Sequence, residues 1–409
     1  MDWEAYAKEA DERDPLKSYR NEFFYPEGKI YFCGNSLGLQ PKKVRESVNA
    51  VLDDWAKWAV EGHVVGPRAW KPYHERLTAP LARLVGANER EVVAMNGLTV
   101  NLHLLLTTFY RPSGKRRLIL MEDRPFPSDR YAAASHARLM GYDDVVVHWP
   151  RRSPNEPLHN DDLFRFLDEN GKYVALMLIG GVNYYDGQKY DVKTLTEAGQ
   201  KAGCVVGWDL AHAIGNVELQ LHDWNVDFAA WCGYKYLNGG PGAAAGVFIH
   251  EKHLRDDSKL RREGWWGHDK ATRFAMPPDF VPIRDDERVV TAESWQLSNP
   301  AILPMAALEP SLELFDRAGM PALVEKQKSM GRLMENLLAD VPNVKVLTPA
   351  ERGCQFSIAV KNKSVYENLS AAGVACDWRE PEVVRIAPTP FYNTHKEIVE
   401  FVRILKTAV

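Results

Sequence analysis

The sequence predicts an α/β protein: a mostly parallel β-sheet covered by helices on both faces, followed by a smaller C-terminal α+β unit. Two observations carry this. From about residue 92 to residue 249, short apolar runs alternate with amphipathic stretches, the mark of strand–helix–strand units. After Pro300 the texture changes to two long helical periods and then short strands. A chain of 409 residues has room for roughly two to three domains with large cores.

Taken in order, residues 41–60 have a helical period that puts Val44, Val48, Leu52, Trp55 and Ala59 on one face, with Pro41 suited to the first turn. Gly62 is expected to end that helix. Strands are predicted over 118–121, 145–148, 174–179, 204–208, 228–232 and 246–249. Helices fall between them over 128–139, near 161–169 and near 192–202, the first opening on a capping Ser128. Beyond Pro300 come helices over about 303–317 and 321–339, strands near 344–347, 355–360 and 383–387, and a last helix from His395. The division expected is an N-terminal segment, 1–60, packing on a small domain of 301–409, with a large domain of 61–300 between them.

Composition excludes several classes. With 45% hydrophobic and 26% charged residues and a net charge of −4, nothing marks a nucleic-acid partner, which would favour a basic face. The clusters Lys115-Arg116-Arg117 and Arg261-Arg262 read as solvated loop charge. Five scattered cysteines without CxxC spacing argue against a disulfide framework or a structural zinc, and no metal is expected. The acidic, polar N-terminus carries no secretory pattern, and no apolar run approaches the roughly 20 residues of a membrane span. A cytoplasmic protein is the expectation.

The chemistry gathers around Asp209-Leu210-Ala211-His212, closing one apolar strand, and Gly233-Tyr234-Lys235-Tyr236, closing the next. In such sheets ligands sit beyond the carboxyl ends of the strands. A carboxylate able to hold a protonated pyridine nitrogen, and a lysine able to form a Schiff base, are what pyridoxal phosphate asks of a protein. Alone, a strand-end lysine is ordinary surface charge and Asp209 could be a helix cap. Together with His212, whose ring can lie against the cofactor, they define a site. Gly97-Leu98-Thr99 opens a helix-like run whose free N–H groups suit a phosphate. Phe126, on the turn Pro125-Phe126-Pro127-Ser128-Asp129, can stack on a flat heterocycle, although a core ring is the plainer reading.

These blocks resemble kynureninases. IYFCGNSLGLQP (30–41), GLTVNLHLLL (97–106), FPSD (126–129), GWDLAHAIGNVEL (207–219) and WCGYKYLNGGPG (231–242) carry the likeness, and GWWGH (264–268), WQLSNP (295–300) and RIAPTPFYN (385–393) continue it. It covers the chain from about residue 28 onward. The Asp-to-Lys block alone would mark only the wider family of fold-type I, aminotransferase class V-like pyridoxal phosphate enzymes. The resemblance implies a mainly parallel seven-stranded sheet, a homodimer, and hydrolysis of L-kynurenine, or its 3-hydroxy form, to anthranilate, or 3-hydroxyanthranilate, and L-alanine. That reaction belongs to tryptophan degradation and NAD biosynthesis. It also implies roles. Lys235 carries the cofactor and Asp209 pairs with its ring nitrogen. Leu98 and Thr99 cup the phosphate with Tyr234, whose hydroxyl is alternatively a proton donor or relay. Phe126 stacks, and Pro127, Ser128, Asp129 and His212 complete the shell. Trp265 and Asn299 match positions in a site assembled across the dimer. Arg385 receives the α-carboxylate through its fork, and His63 lies near the aryl ring. Gly180 stands where some members have a serine, so one phosphate or ring contact is expected to be absent or replaced by water.

Three other readings stay open at this stage. A desulfurase-like enzyme needs a nucleophilic cysteine, and Cys354 is the candidate, although it precedes a strand and reads as packing. A non-catalytic scaffold could keep the fold, and an aminotransferase could share the same site.

Overall fold

The computed structural model describes residues 2–153, 156–255, 261–271, 273–274 and 288–409. The strands are β1 (Ile30–Tyr31), β2 (Val92–Ala94), β3 (Leu118–Met121), β4 (Val146–His148), β5 (Val174–Gly180), β6 (Val205–Asp209), β7 (Phe228–Trp231), β8 (Gly246–Ile249), β9 (Lys345–Val346), β10 (Phe356–Ala359), β11 (Val374–Ala375), β12 (Asp377–Arg379) and β13 (Val383–Ile386). The helices are α1 (Trp3–Arg13), α2 (Val44–Trp58), α3 (Glu75–Val85), α4 (Leu98–Phe109), α5 (Pro127–Leu139), α6 (Asn160–Asn170), α7 (Val192–Lys201), α8 (Ile302–Ala318), α9 (Met320–Leu338), α10 (Ser364–Ala371) and α11 (His395–Ala408).

Seven strands form one sheet in the order β2-β8-β7-β6-β5-β3-β4. All its pairings are parallel except those of β8, which runs against both β7 and β2. Alternate residues of β5 explain why the strand is apolar throughout. Met177 and Ile179 enter one core cluster, with Leu77 and Leu81 of α3 and Leu312 of α8. Leu176 and Leu178 enter another, with Leu102 and Leu105 of α4 and Ala133 of α5. Side chains of a strand alternate between faces, so a sheet covered on both sides needs hydrophobic residues at both parities.

Strand order reverses between β3 and β5, because β4 lies to one side of β3 while β5, β6 and β7 follow on the other. Crevices at such switch points are where α/β sheets bind ligands. The segment after β3 carries Phe126–Asp129, and register places Gly180 of β5 opposite Asp209 of β6.

A second, four-stranded antiparallel sheet has the order β12-β13-β10-β9. Its core includes Phe356, Ile358, Ile386 and Phe401, and it also takes in Ala7 of α1 and Phe32 just past β1. β1 pairs in parallel with β11.

Four expectations need correction. α2 packs on α8 through Val51 and through Ser47, whose hydroxyl donates to the Ala306 carbonyl at 2.7 Å. Asp54 is also buried, held by Arg68 at 2.8 Å, while Leu52 and Trp55 of the predicted face are 40% and 61% exposed. Apolar residues stay outside here and a paired carboxylate goes in, so period alone misplaced the face. The helix ends at Trp58, before Ala59 with φ 47°, rather than at Gly62. Ser128 lies inside α5, one residue past Pro127 in the first turn, and does not cap it; Phe126 is the N-cap residue. Finally, the basic clusters are not merely solvated. Arg116 donates to the carbonyls of Gly171, Val174 and Ala202, and Arg261 lies over the Trp295 ring.

Candidate active site

Asp209 ends β6 and is buried, its Oδ1 accepting the Ala211 N–H at 2.8 Å. Lys235 follows β7 in a turn closed by the Asn238 N–H on the Lys235 carbonyl (2.9 Å) and by Gly239 on Gly233. The loop 33–38 presses on that turn. Gly38 donates its N–H to the Tyr234 carbonyl, and a Cβ at Gly38 would come within 2.4 Å of the Lys235 oxygen. Only glycine permits that approach. The Lys235 amine sits 5.5 Å from the centre of the Phe126 ring and 5.9 Å from that of Tyr234.

Asp129, inside the first turn of α5, is buried against these groups. Burial first, and then the charge and hydrogen bond of Asp209, push its carboxyl well above the usual range, with Lys235 pulling the other way. Its Oδ1 has no protein hydrogen-bond partner, and neither has Nδ1 of the buried His212. His212 lies edge-on to Tyr236 at 6.4 Å and is held well below the ordinary histidine value, by burial first and then by Lys235, Arg385 and Arg379. It is neutral. Tyr234 is pushed up by burial and by the neighbouring Cys232 thiol, so its hydroxyl keeps its proton.

Two helix N-termini meet beside this cluster. Neither α4, with Gly97 as N-cap, nor α5, with Phe126, has a side chain capping its first turn. Thr99 Oγ1 and Ser128 Oγ touch across the gap at 2.8 Å. Uncapped amides, two helix dipoles and a hydroxyl pair are groups suited to an anion.

Arg385, on β13, is 2% exposed and engaged on two sides. Asp377 takes its Nε–H at 2.6 Å and an Nη2–H at 2.5 Å, and the Tyr184 carbonyl takes an Nη1–H. The Tyr184 ring stands edge-on to Phe126 at 5.3 Å, joining this arginine to the lysine cluster. His63, Trp265 and Asn299 make their contacts away from this cluster. His63 packs against Trp70 (5.0 Å), and Trp265 against Trp266 (5.5 Å) and Phe274 (5.0 Å). Lys71, next to Trp70, lies 3.4 Å from the Phe274 ring centre, so these two residues share one patch. Asn299 is exposed.

Sequence reasoning missed Glu122, Tyr184, Asp377 and Ser36. Glu122 had a signal, because it follows apolar β3 as Asp209 closes apolar β6. It is fully buried, burial pushes it up to about 8, and both its oxygens lie 3.3 Å from the Gly180 N–H. A Cβ at position 180 would come within 3.0 Å of Glu122 Oε1. The carboxyl therefore crowds the space that a serine at this position would use.

Residues 323–405 match the family model described as the kynureninase C-terminal domain. The kynureninase of Christiangramia forsetii is 48% identical over 420 aligned positions, covering 99% of this chain and 97% of that protein. The kynureninase of Nematostella vectensis is 42% identical, covering 98% of this chain and 93% of that one. Among solved structures, the cystine C-S lyase C-DES in complex with cysteine persulfide superposes with a TM-score of 0.78 at 16% identity, over 93% of this chain and 98% of that one. A cysteine desulfurase from Thermococcus onnurineus gives 0.76 at 17%, over 97% and 98%. At that identity the structural likeness concerns the fold alone.

Proposed function

The chain belongs to the kynureninase family, and from that premise we propose that it hydrolyses the Cβ–Cγ bond of L-kynurenine, giving anthranilate and L-alanine. The observation that carries the reading is the buried group of Lys235, Asp209, Asp129 and His212 beside two uncapped helix ends, in a chain alike to kynureninases over nearly its whole length. Pyridoxal phosphate is the cofactor, and the residues present fit it. The helix N-termini with Leu98, Thr99 and Ser128 suit its phosphate, and Asp209 suits its ring nitrogen. The orphaned Asp129 Oδ1 and His212 Nδ1 are polar atoms awaiting a partner.

When bound, the cofactor supplies an electron sink for bonds at the substrate α-carbon. The chain's own residues do the rest. Arg385 has five N–H groups, of which three are committed to Asp377 and Tyr184, leaving two for the α-carboxylate. Phe126, presented on a turn that Pro127 fixes, would lie against one face of the cofactor ring, and Asp209 would hold its ring nitrogen. The Lys235 amine would carry the cofactor and serve as the base for the Cα proton. Tyr234, protonated and half-buried, is placed to give or relay a proton as water adds to the aryl ketone and the bond breaks. Adding kynurenine and cofactor to the purified protein should release fluorescent anthranilate and alanine in equal amounts. Stoichiometric consumption of a 2-oxo acid instead would identify an aminotransferase.

The desulfurase alternative has little support. Cys354 is buried, its thiol is pushed up to about 12 by burial, and Gln327 donates to its sulfur at 3.2 Å. Sulfide release from cysteine that disappears in Cys354→Ala would restore it.

We propose further that the protein is a cytoplasmic homodimer. Among the described residues no helix is long and apolar enough to cross a membrane. Trp55, Val60 and Val64 are exposed apolar residues near the His63 patch. A second copy covering them would bring His63, Trp265 and Asn299 toward a neighbouring Lys235, where His63 would help choose between kynurenine and its 3-hydroxy form. Light scattering tests the dimer, and kcat/KM for the two substrates tests the choice. The division into 1–60, 61–300 and 301–409 belongs to this reading, supported by the core that Ala7 and Phe32 share with β10 and β13.

A further inference from the structure

Asp377 ties its own β12–β13 hairpin to a stretch of chain more than 300 residues away in sequence. Its two oxygens take the Nε–H and an Nη2–H of Arg385 at 2.6 and 2.5 Å, and its Oδ2 also accepts the Ser36 hydroxyl at 2.6 Å. Ser36 is itself fixed, its N–H donating to the Cys33 carbonyl at 2.9 Å, and the preceding residues are stitched in from both sides. Phe32 donates to the Ala375 carbonyl at 2.9 Å, and Ala387 donates to the Phe32 carbonyl at 2.8 Å. Two residues beyond Ser36, Gly38 touches the lysine turn through the Tyr234 carbonyl. One loop, 33–38, therefore meets both the turn bearing Lys235 and the carboxylate that grips Arg385.

We propose that Asp377, held by Ser36, is the positioning residue that aims Arg385 at the substrate α-carboxylate, so that loop 33–38 sets the distance between carboxylate clamp and lysine. A free arginine would have many rotamers and would have to order itself on binding, a cost that a preset fork avoids. Asp377 fixes one edge of the guanidinium and the Tyr184 carbonyl fixes part of another. The two remaining N–H groups then keep one direction. The carboxylate can hold that fork because it stays ionised: burial pushes it up, but Arg385, with help from Ser36 and Arg379, brings it below the usual range. Asp377 touches no reacting atom in this scheme. Its influence passes wholly through Arg385.

The inference rests on the reading of Arg385 given above, and its test works without turnover. L-alanine and ethylamine differ by the α-carboxylate alone, and both bind the holoenzyme through an amine, read as a change in cofactor absorbance. In Asp377→Asn, alanine affinity should fall about 30-fold or more, as expected when one partner of a buried charge pair is lost. Ethylamine affinity should shift less than about twofold, and the absorbance of the resting holoenzyme should stay unchanged. The KM for kynurenine should rise with alanine's dissociation constant while kcat moves little. Equal weakening of both amines, or of neither, overturns the proposal. Should Asp377→Asn fail to hold the cofactor, Ser36→Ala leaves the ion pair in place and carries the same comparison. There about a threefold loss confined to alanine supports it, and equal loss or none rejects it. Failure of the wild type to cleave kynurenine would count against the proposed reaction and leave the alanine–ethylamine comparison intact.

Discussion

Two groups of buried acids and histidines sit at opposite ends of the seven-stranded sheet, and they treat their lone pairs differently. At the amino-terminal ends of β2 and β7, Glu91 and Asp227 are buried with His222, His250 and His253 around them. Every carboxylate oxygen there is met by the protein. Glu91 accepts the Asn88 and Glu251 N–H groups, each at 2.8 Å, and lies 3.0 Å from His222 Nδ1. Asp227 accepts the Val206 N–H at 2.8 Å and faces His253 at 2.7 Å and Lys252 at 2.9 Å. Glu91, His222 and His250 even converge with spacing that could suit a cation. Yet His250 Nδ1 already receives the Lys252 N–H, and its Nε2 faces the His222 carbonyl. At the carboxyl-terminal ends, by contrast, Asp129 Oδ1 and His212 Nδ1 have no protein partner and Asp129 is pushed up rather than down. Burial is common to both groups. Only the second leaves polar atoms for something else to satisfy, and that separates a binding site from a structural clamp.

The sharpest way to break this contrast is to remove one side chain from each cluster. Lys235→Ala should cut turnover by at least about 10³-fold and abolish the yellow absorbance of the lysine-linked cofactor, with little change in melting of the apo-protein. Absorbance that persists and is bleached by borohydride would move the cofactor to another lysine. Asp209→Ala should follow at about 10²-fold, with weaker cofactor binding, and near-normal turnover would remove the ring-nitrogen role.

Glu91→Ala should do the opposite. It strands two backbone N–H groups and the neighbouring imidazole in a buried place, a defect worth about 3 kcal/mol or more. The chemical denaturation midpoint should fall, while kcat and cofactor absorbance per folded molecule stay as in the wild type. A loss of kcat without loss of stability would show that the distant cluster communicates with the site, and the structural reading of it would fail.

How far the sequence could be read follows the same division. Six of the seven strands of the large sheet were legible because burial makes them mostly apolar, and 246–249 was bounded as found, while the three-residue β2 was not foreseen. The lysine, its aspartate and the phosphate-binding helix start were legible because each closes or opens such an element. The face of α2 was not, since Asp54 is buried by virtue of Arg68, a pairing across a loop that no period encodes. Asp377 and Ser36 escaped for a related reason: Asp377 meets Arg385 through β12–β13 pairing, and Ser36 meets Asp377 only once residues 30–33 are inserted beside β11. Such contacts exist only after the chain has folded. Glu122 was legible in principle, because it repeats the pattern of an acid after a buried strand.

The smallest expected effect concerns pH, and it comes from the distant cluster. Hydrogen bonding to Glu91, the largest influence, raises His222 above its ordinary value of 6.5, with the charge of Glu91 adding to it and partial burial opposing. A histidine raised in the folded state binds its proton more tightly there than in the unfolded chain. Its contribution is therefore complete below about pH 6.5 and fades as pH climbs through the raised folded value. The ring is partly exposed, so screening keeps the effect modest. Comparing wild type with His222→Asn by thermal melting, the gap in Tm should be widest at pH 5.5 to 6 and should narrow steadily toward pH 8.5. Glu293, in a third cluster, gives the opposite sign as a control. Burial pushes its carboxyl up, but the close approach of His74 (3.2 Å) and Lys270 (2.9 Å) outweighs this and brings it down to about 2. Its contribution is present above the usual carboxylate value of 4.5 and is lost as pH falls toward 2. A His222 gap that widened with rising pH would mean the ring is neutral in the fold. The Glu91 clamp would then rest on its backbone amides alone.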